Sequence, residues 1–279
     1  MDLVAAVDVG GTKIACGLVD SAGTVLRRVQ APTGADPWPV LAGLLSSLEL
    51  PVGGVAACGV GCGGPMSEGG ELVSPLNIGG WRDFPLRARL AALLDMPVFV
   101  DNDAKALALG EGWKGAAAGE RDYIGMVVST GVGGGVVLDG RLLDGASGNA
   151  GHIGHLIVVP GGRPCACGSR GCLEAEISGL SVAAVTGQPA AEASAAVIDR
   201  AGLLLGQALA SVAALLDLRL AVVSGSVALG WGEPFFAAAQ RALDGSARIS
   251  FARGARVVPG ALGPDGPLVG AAAVALRAL

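Results

Sequence analysis

The segment 151–174 concentrates the residues best suited to metal chemistry. It holds both histidines of the chain, His152 and His155, and three of the six cysteines, Cys165, Cys167 and Cys172. One histidine and three thiolates gathered by a glycine-rich loop make a closed four-ligand zinc site of the structural type, with no open position for water. Tethering His155 in this way would leave His152 and Glu174 at the loop's edges as a rigid polar rim for a ligand. Cys16, Cys58 and Cys62 lie in apolar or glycine-rich strand ends and are expected to be small core residues.

A second kind of chemistry is written in glycine turns. Asp8-Val9-Gly10-Gly11-Thr12-Lys13 joins two apolar runs through a turn carrying an acid, a hydroxyl and a lysine. Backbone N–H groups in such a turn can approach phosphate oxygens because no Cβ intervenes, and Asp8 is placed to hold Mg²⁺ through water. Ser129-Thr130-Gly131-Val132-Gly133-Gly134 repeats the grammar, and two inward-facing turns of this kind suit the phosphates of a nucleotide. Gly59 to Gly64 matches GxGxxG after a strand, but Pro65 and Glu68-Gly69-Gly70 follow it where a dinucleotide fold requires a helix. Asp101-Asn102-Asp103 stands between a strand and a helix, where helix capping and general-base chemistry on a hydroxyl are both open readings.

The elements that must position these residues follow from hydrophobic runs and their breaks. Strands are expected over Leu3 to Val9, Ile14 to Val19, Thr24 to Val29, Val55 to Val60, Pro97 to Val100, Tyr123 to Ser129, Val136 to Leu138 and Leu220 to Ser224. Helices are expected over Pro39 to Leu48, Pro85 to Leu94, Ala104 to Trp113 and Ala195 to Leu216, with a closing helix from Leu268. The chain reads as an internal duplication of an α/β unit, with Gly115 to Glu120 as a hinge candidate. The expected division is a smaller N-terminal lobe over 1–117, with the C-terminal helix returning to it, and a larger lobe over 118–279.

Composition narrows the function classes. Among 279 residues, 52% are hydrophobic and 15% charged, which excludes a disordered chain. A net charge of −5 offers no basic face for a phosphate backbone, so nucleic acid is not an expected partner. The start carries Asp2 and Asp8 and no basic n-region, so no signal peptide is expected. The apolar stretch from Ala201 to Leu216 contains Gln207 and Ser211 and reads as a core helix, so no membrane is expected either. The cytoplasm is the expected location, and the high apolar content makes a homodimer an expectation.

Taken together, DVGGTK at Asp8, GGP at Gly63, NDA at Asn102, STGVGGG at Ser129, AGHIGH at Ala150, CACGSRGCLE at Cys165 and GAAAVAL at Gly270 resemble the ROK family of sugar kinases and sugar-responsive repressors. The resemblance covers nearly the whole chain. It implies a duplicated actin-like ATPase fold of the ribonuclease H-like kind, two lobes around a central cleft, and transfer of phosphate from ATP to a hexose. By resemblance, Asp103 is the general base. Gly64, Asn77, Asn102, Asp103, His152, His155 and Glu174 contact the sugar. Asp8, Gly10, Gly11, Thr12, Lys13, Thr130, Gly131, Gly133 and Gly134 hold ATP with Mg²⁺, and Ser224-Gly225-Ser226 lies on the adenosine side. His155, Cys165, Cys167 and Cys172 carry structural Zn²⁺. Glucose is the first expected sugar. N-acetylmannosamine is the second, because His152 stands where glucokinase-like members have Glu. Only seven residues precede Asp8, so the DNA-binding domain of the repressors is not expected. The stretch from Gly179 to Ala195 is shorter than the family's usual one, which suggests a missing helical element.

Overall fold

A computed structural model of the chain describes residues 3–51 and 53–279. Asp2, one of the acids in the sequence reading of the N-terminus, lies outside them. The chain forms two compact units: one comprises the chain through Ala118, Asp144–Ala150 and Leu262–Leu279, the other Gly119–Leu143 and Gly151–Ala261.

The first unit is built on strands β1 (Leu3–Val9), β2 (Lys13–Val19), β3 (Val25–Pro32), β4 (Val55–Cys62) and β5 (Val98–Asn102). They lie in the order β3-β2-β1-β4-β5, with β1 antiparallel to β2 and parallel to β4. The runs of β1, β2 and β4 are mostly apolar and buried on both faces, as a sheet covered on both sides requires, whereas the edge strand β3 carries the exposed Arg27 and Gln30. On one face lie α1 (Pro37–Ser47) and α2 (Leu86–Leu94), whose Leu41, Leu45, Leu86 and Leu90 join Val7, Ile14 and Val60 in a common core. Asp36 caps α1 by accepting from the Trp38 N–H, and Pro37 fits the first helical position. The helix therefore starts two residues before the apolar pattern expected at Pro39. On the other face, α3 (Asp103–Lys114) packs beside the final helix of the chain.

The second unit repeats the plan. Its strands β6 (Tyr123–Val128), β7 (Val132–Leu138), β8 (Arg141–Leu142), β9 (Leu220–Ser224) and β10 (Arg256–Pro259) are ordered β10-β9-β6-β7-β8. Its helices are α4 (Leu173–Ile177), α5 (Gly179–Thr186), α6 (Ala195–Leu216), α7 (Ser226–Trp231) and α8 (Glu233–Ser246). The 179–195 stretch thus contains α5 and one short 3-10 turn, Ala190–Glu192. By length and composition α6 could cross a membrane, but half of its apolar window is buried. Leu205, Leu209 and Ala213 pack with Phe235 and Leu243 of α8 in the core of this unit. The chain ends in α9 (Gly266–Ala278), whose Leu268, Ala271, Ala272 and Ala275 cover Val4, Ala6 and Ala57 of the first unit's sheet.

Two sequence expectations need correction. The third strand runs over Val25–Pro32, because pairing with β2 continues to Lys13 opposite Pro32. The glycine run after Thr130 is not a long turn: β7 begins at Val132, with Gly133, Gly134 and Gly135 paired opposite Val127, Met126 and Gly125. Cross-strand hydrogen bonding here overrides glycine's preference for turns. Helices α4, α7 and α8 and strand β10 have no counterpart in the sequence reading.

Candidate functional site

In the first unit, the carboxyl ends of β1, β4 and β5 bring the polar residues together. Asp8 sits opposite Ala15 of β2 and Gly61 of β4. A side chain on Gly61 would begin 3.4 Å from the Asp103 Cα, so Asp103 stands just beyond the same strand end. Burial, and after it the charge of Asp103, push the Asp8 carboxyl up to about 7, against the opposing pull of Lys13 and Arg28. Asp103 is also raised by burial, partly countered by the N–H groups of Ala104 and of Asp103 itself.

The turn after β1 is closed by the Gly10 N–H donating to the Lys13 carbonyl at 3.0 Å, and the Thr33 hydroxyl donates to the Gly10 carbonyl at 2.7 Å. Gly11, Thr12 and Lys13 are exposed. A Cβ on Gly11 would lie 2.7 Å from the Asn77 Cβ, so the turn and Asn77 are in close contact. The Leu76 N–H donates to the Gly64 carbonyl at 3.2 Å, which joins the Gly64 loop to the same group.

The three polar residues at the end of β5 have separate tasks. Asn102 is the cap of α3, its Oδ1 accepting from the N–H groups of Ala104 at 3.0 Å and Lys105 at 3.4 Å. Asp101 is buried and paired with Lys105 at 3.0 Å. Asp103 accepts from the Ala104 N–H through Oδ1 at 2.8 Å. Capping therefore accounts for Asn102, whereas the Asp103 carboxylate is held by the backbone N–H groups of Ala104 and of Asp103 itself.

In the second unit, the turn between β6 and β7 is short: the Ser129 N–H donates to the Gly131 carbonyl at 2.9 Å. Glu174 of α4 braces it, accepting from the Val132 N–H at 2.8 Å, and a Cβ on Gly131 would come within 2.6 Å of the Glu174 Oε2. Gly225 has φ +103, and a Cβ there would lie 2.3 Å from the Val128 carbonyl, so only glycine lets the chain leave β9 beside β6. Ser226 lies 2.9 Å, hydroxyl to hydroxyl, from Ser129. Beyond it opens a cavity of about 400 Å³, lined by Thr130, Leu180, Ala183, Ser226, Val227 and Trp231.

The His155 Nδ1 and the sulfurs of Cys165, Cys167 and Cys172 all lie within 4.8 Å of one another. Cys165 Sγ is 3.6 Å from His155 Nδ1, and Cys167 Sγ is 3.7 Å from Cys172 Sγ. Four donors at Zn–S bond lengths of about 2.3 Å in a tetrahedron stand about 3.8 Å apart, so both the spacing and the donor chemistry fit Zn²⁺. Because Nδ1 faces the sulfurs, Nε2 is the ring nitrogen left for another partner. The His152 ring lies 5.9 Å from that of His155, nearly parallel to it.

Sequence reasoning passed over the support of this loop. Glu176, buried in α4, accepts from the Arg163 N–H at 2.9 Å and from the Arg200 guanidinium at 2.6 Å, fastening the loop to α6. Its charge was visible in the chain, but its distant partner Arg200 was not. Cys16, Cys58 and Cys62 are buried, and burial pushes the Cys58 thiol up to about 12.

Comparison with known proteins identifies relatives along the whole length. The model of the ROK family matches residues 4–278. An N-acetylmannosamine kinase of Escherichia fergusonii is 38% identical over 248 residues, covering 81% of this chain and 84% of that one. A glucokinase of Halalkalibacterium halodurans is 40% identical over 190 residues, 64% of this chain and 57% of its own length. The crystal structure of a ROK family glucokinase from Streptomyces griseus in complex with glucose and AMPPNP superposes with a TM-score of 0.86 at 30% identity, covering 99% of both chains.

Proposed function

The chain belongs to the ROK family, and from that premise we propose that it is an ATP-dependent sugar kinase that phosphorylates a hexose hydroxyl, with glucose as its first acceptor. The observation that carries the reading is the group at the strand ends of the first unit: Asp103, anchored by backbone N–H groups, beside Asp8, the exposed Gly11-Thr12-Lys13 turn and Asn77. A phosphoryl transfer asks the protein chiefly for positioning and charge stabilisation, and a sugar alcohol needs a base as it attacks.

In this reading the Asp103 carboxylate takes the proton of the hydroxyl while that oxygen bonds to the γ-phosphorus and ADP departs. A carboxyl raised by burial is a stronger base than a solvated one, which suits the task. Asn102 keeps its amide nitrogen for a sugar oxygen while its Oδ1 caps α3. Gly64, Asn77, His152, His155 and Glu174 are assigned to the sugar, with His155 contributing Nε2. For Glu174, one oxygen is already committed to Val132, so the other is the one offered.

The phosphates are assigned to Gly10, Gly11, Thr12 and Lys13, and to Thr130, Gly131, Gly133 and Gly134. The 400 Å³ cavity beside Gly225 and Ser226 is of a size for adenosine. Asp8 is the oxygen donor for Mg²⁺, which neutralises phosphate charge when bound. His155, Cys165, Cys167 and Cys172 are the residues that would hold zinc, which would fix the loop that carries His152 and leads into α4.

N-acetylmannosamine is the second reading, favoured by His152 and by the Escherichia fergusonii relative. An imidazole in place of a carboxylate changes which sugar hydroxyls find an acceptor. The deciding measurement is coupled ADP release by the purified chain with glucose, mannose, N-acetylglucosamine and N-acetylmannosamine. A strong preference for the last reverses the order of substrates, and no release with any sugar removes the kinase reading.

A further inference from the structure

Lys105 is a charged residue inside an otherwise apolar stretch of α3, and its side chain is 2% exposed. Its ammonium group donates to Asp144 Oδ1 at 2.9 Å and to the Gly148 carbonyl at 3.0 Å, and it is ion-paired with Asp101 Oδ1 at 3.0 Å. Arg277 of α9 joins the same group, 3.4 Å from Asp101 and 3.9 Å from Asp144. Two cations thus balance two carboxylates.

The partners of Lys105 are what make it informative. Asp101 stands two residues before Asp103, and its Oδ1 also accepts from the Asn102 N–H at 2.8 Å, which fixes the peptide leading into the Asn102-Asp103 pair. Asp144 and Gly148 belong to the seven-residue segment Asp144–Ala150, which is part of the first unit although the chain on both sides of it belongs to the second. The Ala150 N–H donates to the Asp144 carbonyl at 3.0 Å, drawing the segment into a loop. From that loop Asn149 grips Met66 twice, accepting from its N–H at 3.2 Å and donating to its carbonyl at 2.9 Å. Met66 lies two residues after Gly64. One buried ammonium therefore braces the Asn102-Asp103 strand end and, through the 144–150 loop, the Gly64 loop.

We propose that Lys105 is a positioning residue for the sugar: through Asp101, and through the 144–150 loop, it holds the Asp103 and Gly64 segments in their working arrangement. The proposal rests on the sugar-kinase reading above. A buried cation of this kind does not by itself add much stability, since desolvating it offsets much of its attraction to the carboxylates. Its value lies in precision, because a displacement of about 1 Å at reacting groups can cost about a hundredfold in rate.

The test compares the full-length wild type with Lys105→Met and Asp144→Asn in steady-state ADP release, varying sugar and ATP separately, alongside amide hydrogen exchange. Asp144 is largely exposed, so its variant keeps the test open should Lys105→Met fail to fold. The expected result is a sugar kcat/KM lower by about ten- to a hundredfold in Lys105→Met and by about three- to tenfold in Asp144→Asn, with the KM for ATP within about threefold of wild type. Exchange should quicken at 101–104 and 145–150 and stay unchanged in the sheet strands. Wild-type sugar kcat/KM in either folded variant overturns the proposal, as does an equal loss toward sugar and ATP with uniformly faster exchange. If wild type releases no ADP with any sugar, the kinase reading falls first and takes the catalytic consequence with it. An active wild type with unaffected variants removes the role of Lys105 alone.

Discussion

The two glycine turns look alike in the chain and are held in different ways. The first, after β1, is a true turn whose glycines stand in the open, and its nearest constraint is the root of the Asn77 side chain. The second is only the corner between β6 and β7; Gly133 and Gly134 have passed into the strand, and the far end of the Glu174 side chain braces what remains. A repeated sequence grammar thus reproduced a sheet topology while the two turns are held in different ways. The first region acquires its electrostatics from two half-buried acids near each other, the second its rigidity from Glu174 and Glu176.

The largest test of that contrast removes the acid that the first region has and the second lacks. Asp103→Asn should lower kcat by about 10²- to 10⁴-fold while sugar affinity by calorimetry changes little. Near-normal turnover would take the base role away from the first region.

The second region should depend on zinc for its stability where the first does not. Elemental analysis is expected to find one zinc per chain, and a strong chelator should lower the melting midpoint and quicken exchange in 155–172 before it affects β1 or β4. Active, stable protein without zinc would dismiss the ligand set.

Alanine in each turn compares them directly. Gly11→Ala places a methyl against the Asn77 Cβ, which cannot rotate away, and should raise the KM for ATP by about tenfold. Gly131→Ala meets the terminal Glu174 Oε2, a side-chain end that can shift at the cost of its bond to the Val132 N–H, and should raise it by about two- to threefold. The reverse ranking would show that the second turn is the more constrained of the two.

The smallest effect concerns pH. Asp8 in the folded chain titrates near 7, whereas an unfolded aspartate titrates near its ordinary value of 3.8. Between those values the folded state holds a proton that the unfolded state has lost, so this group makes stability fall as pH rises from about 4 to about 7 and level off above. Without nucleotide or Mg²⁺, the melting midpoint of Asp8→Asn should rise relative to wild type across that window. A constant difference between the two proteins would contradict the assigned burial of Asp8.

The division between what was legible in the chain and what was not follows the range of the interactions. Strands β1 and β9 and helix α6 were readable to the residue, because an apolar run bounded by turn residues is a local signal. Helix α8 was not: its apolar residues match a face of α6 some thirty positions earlier, and neighbouring residues do not announce that partner. The His155, Cys165, Cys167 and Cys172 set was legible because its members crowd into one short loop, whereas the link from Glu176 to Arg200 and the bonds of Lys105 were not.

From its residues alone the chain determined an α/β duplication, the set of titratable and thiol groups, and the kinship those motifs carry. Only the folded molecule decided which of Asp101, Asn102 and Asp103 caps a helix, which is buried against a lysine, and which is held by backbone N–H groups. Only it decided that the second glycine run is mostly strand, and that Lys105 reaches Asp144, 39 residues away. Local patterns act through the backbone of a few neighbouring residues. The choice of partner for a buried charge is made by whatever the packed sheets and helices bring within three ångströms of it, and that is settled only when the whole unit closes.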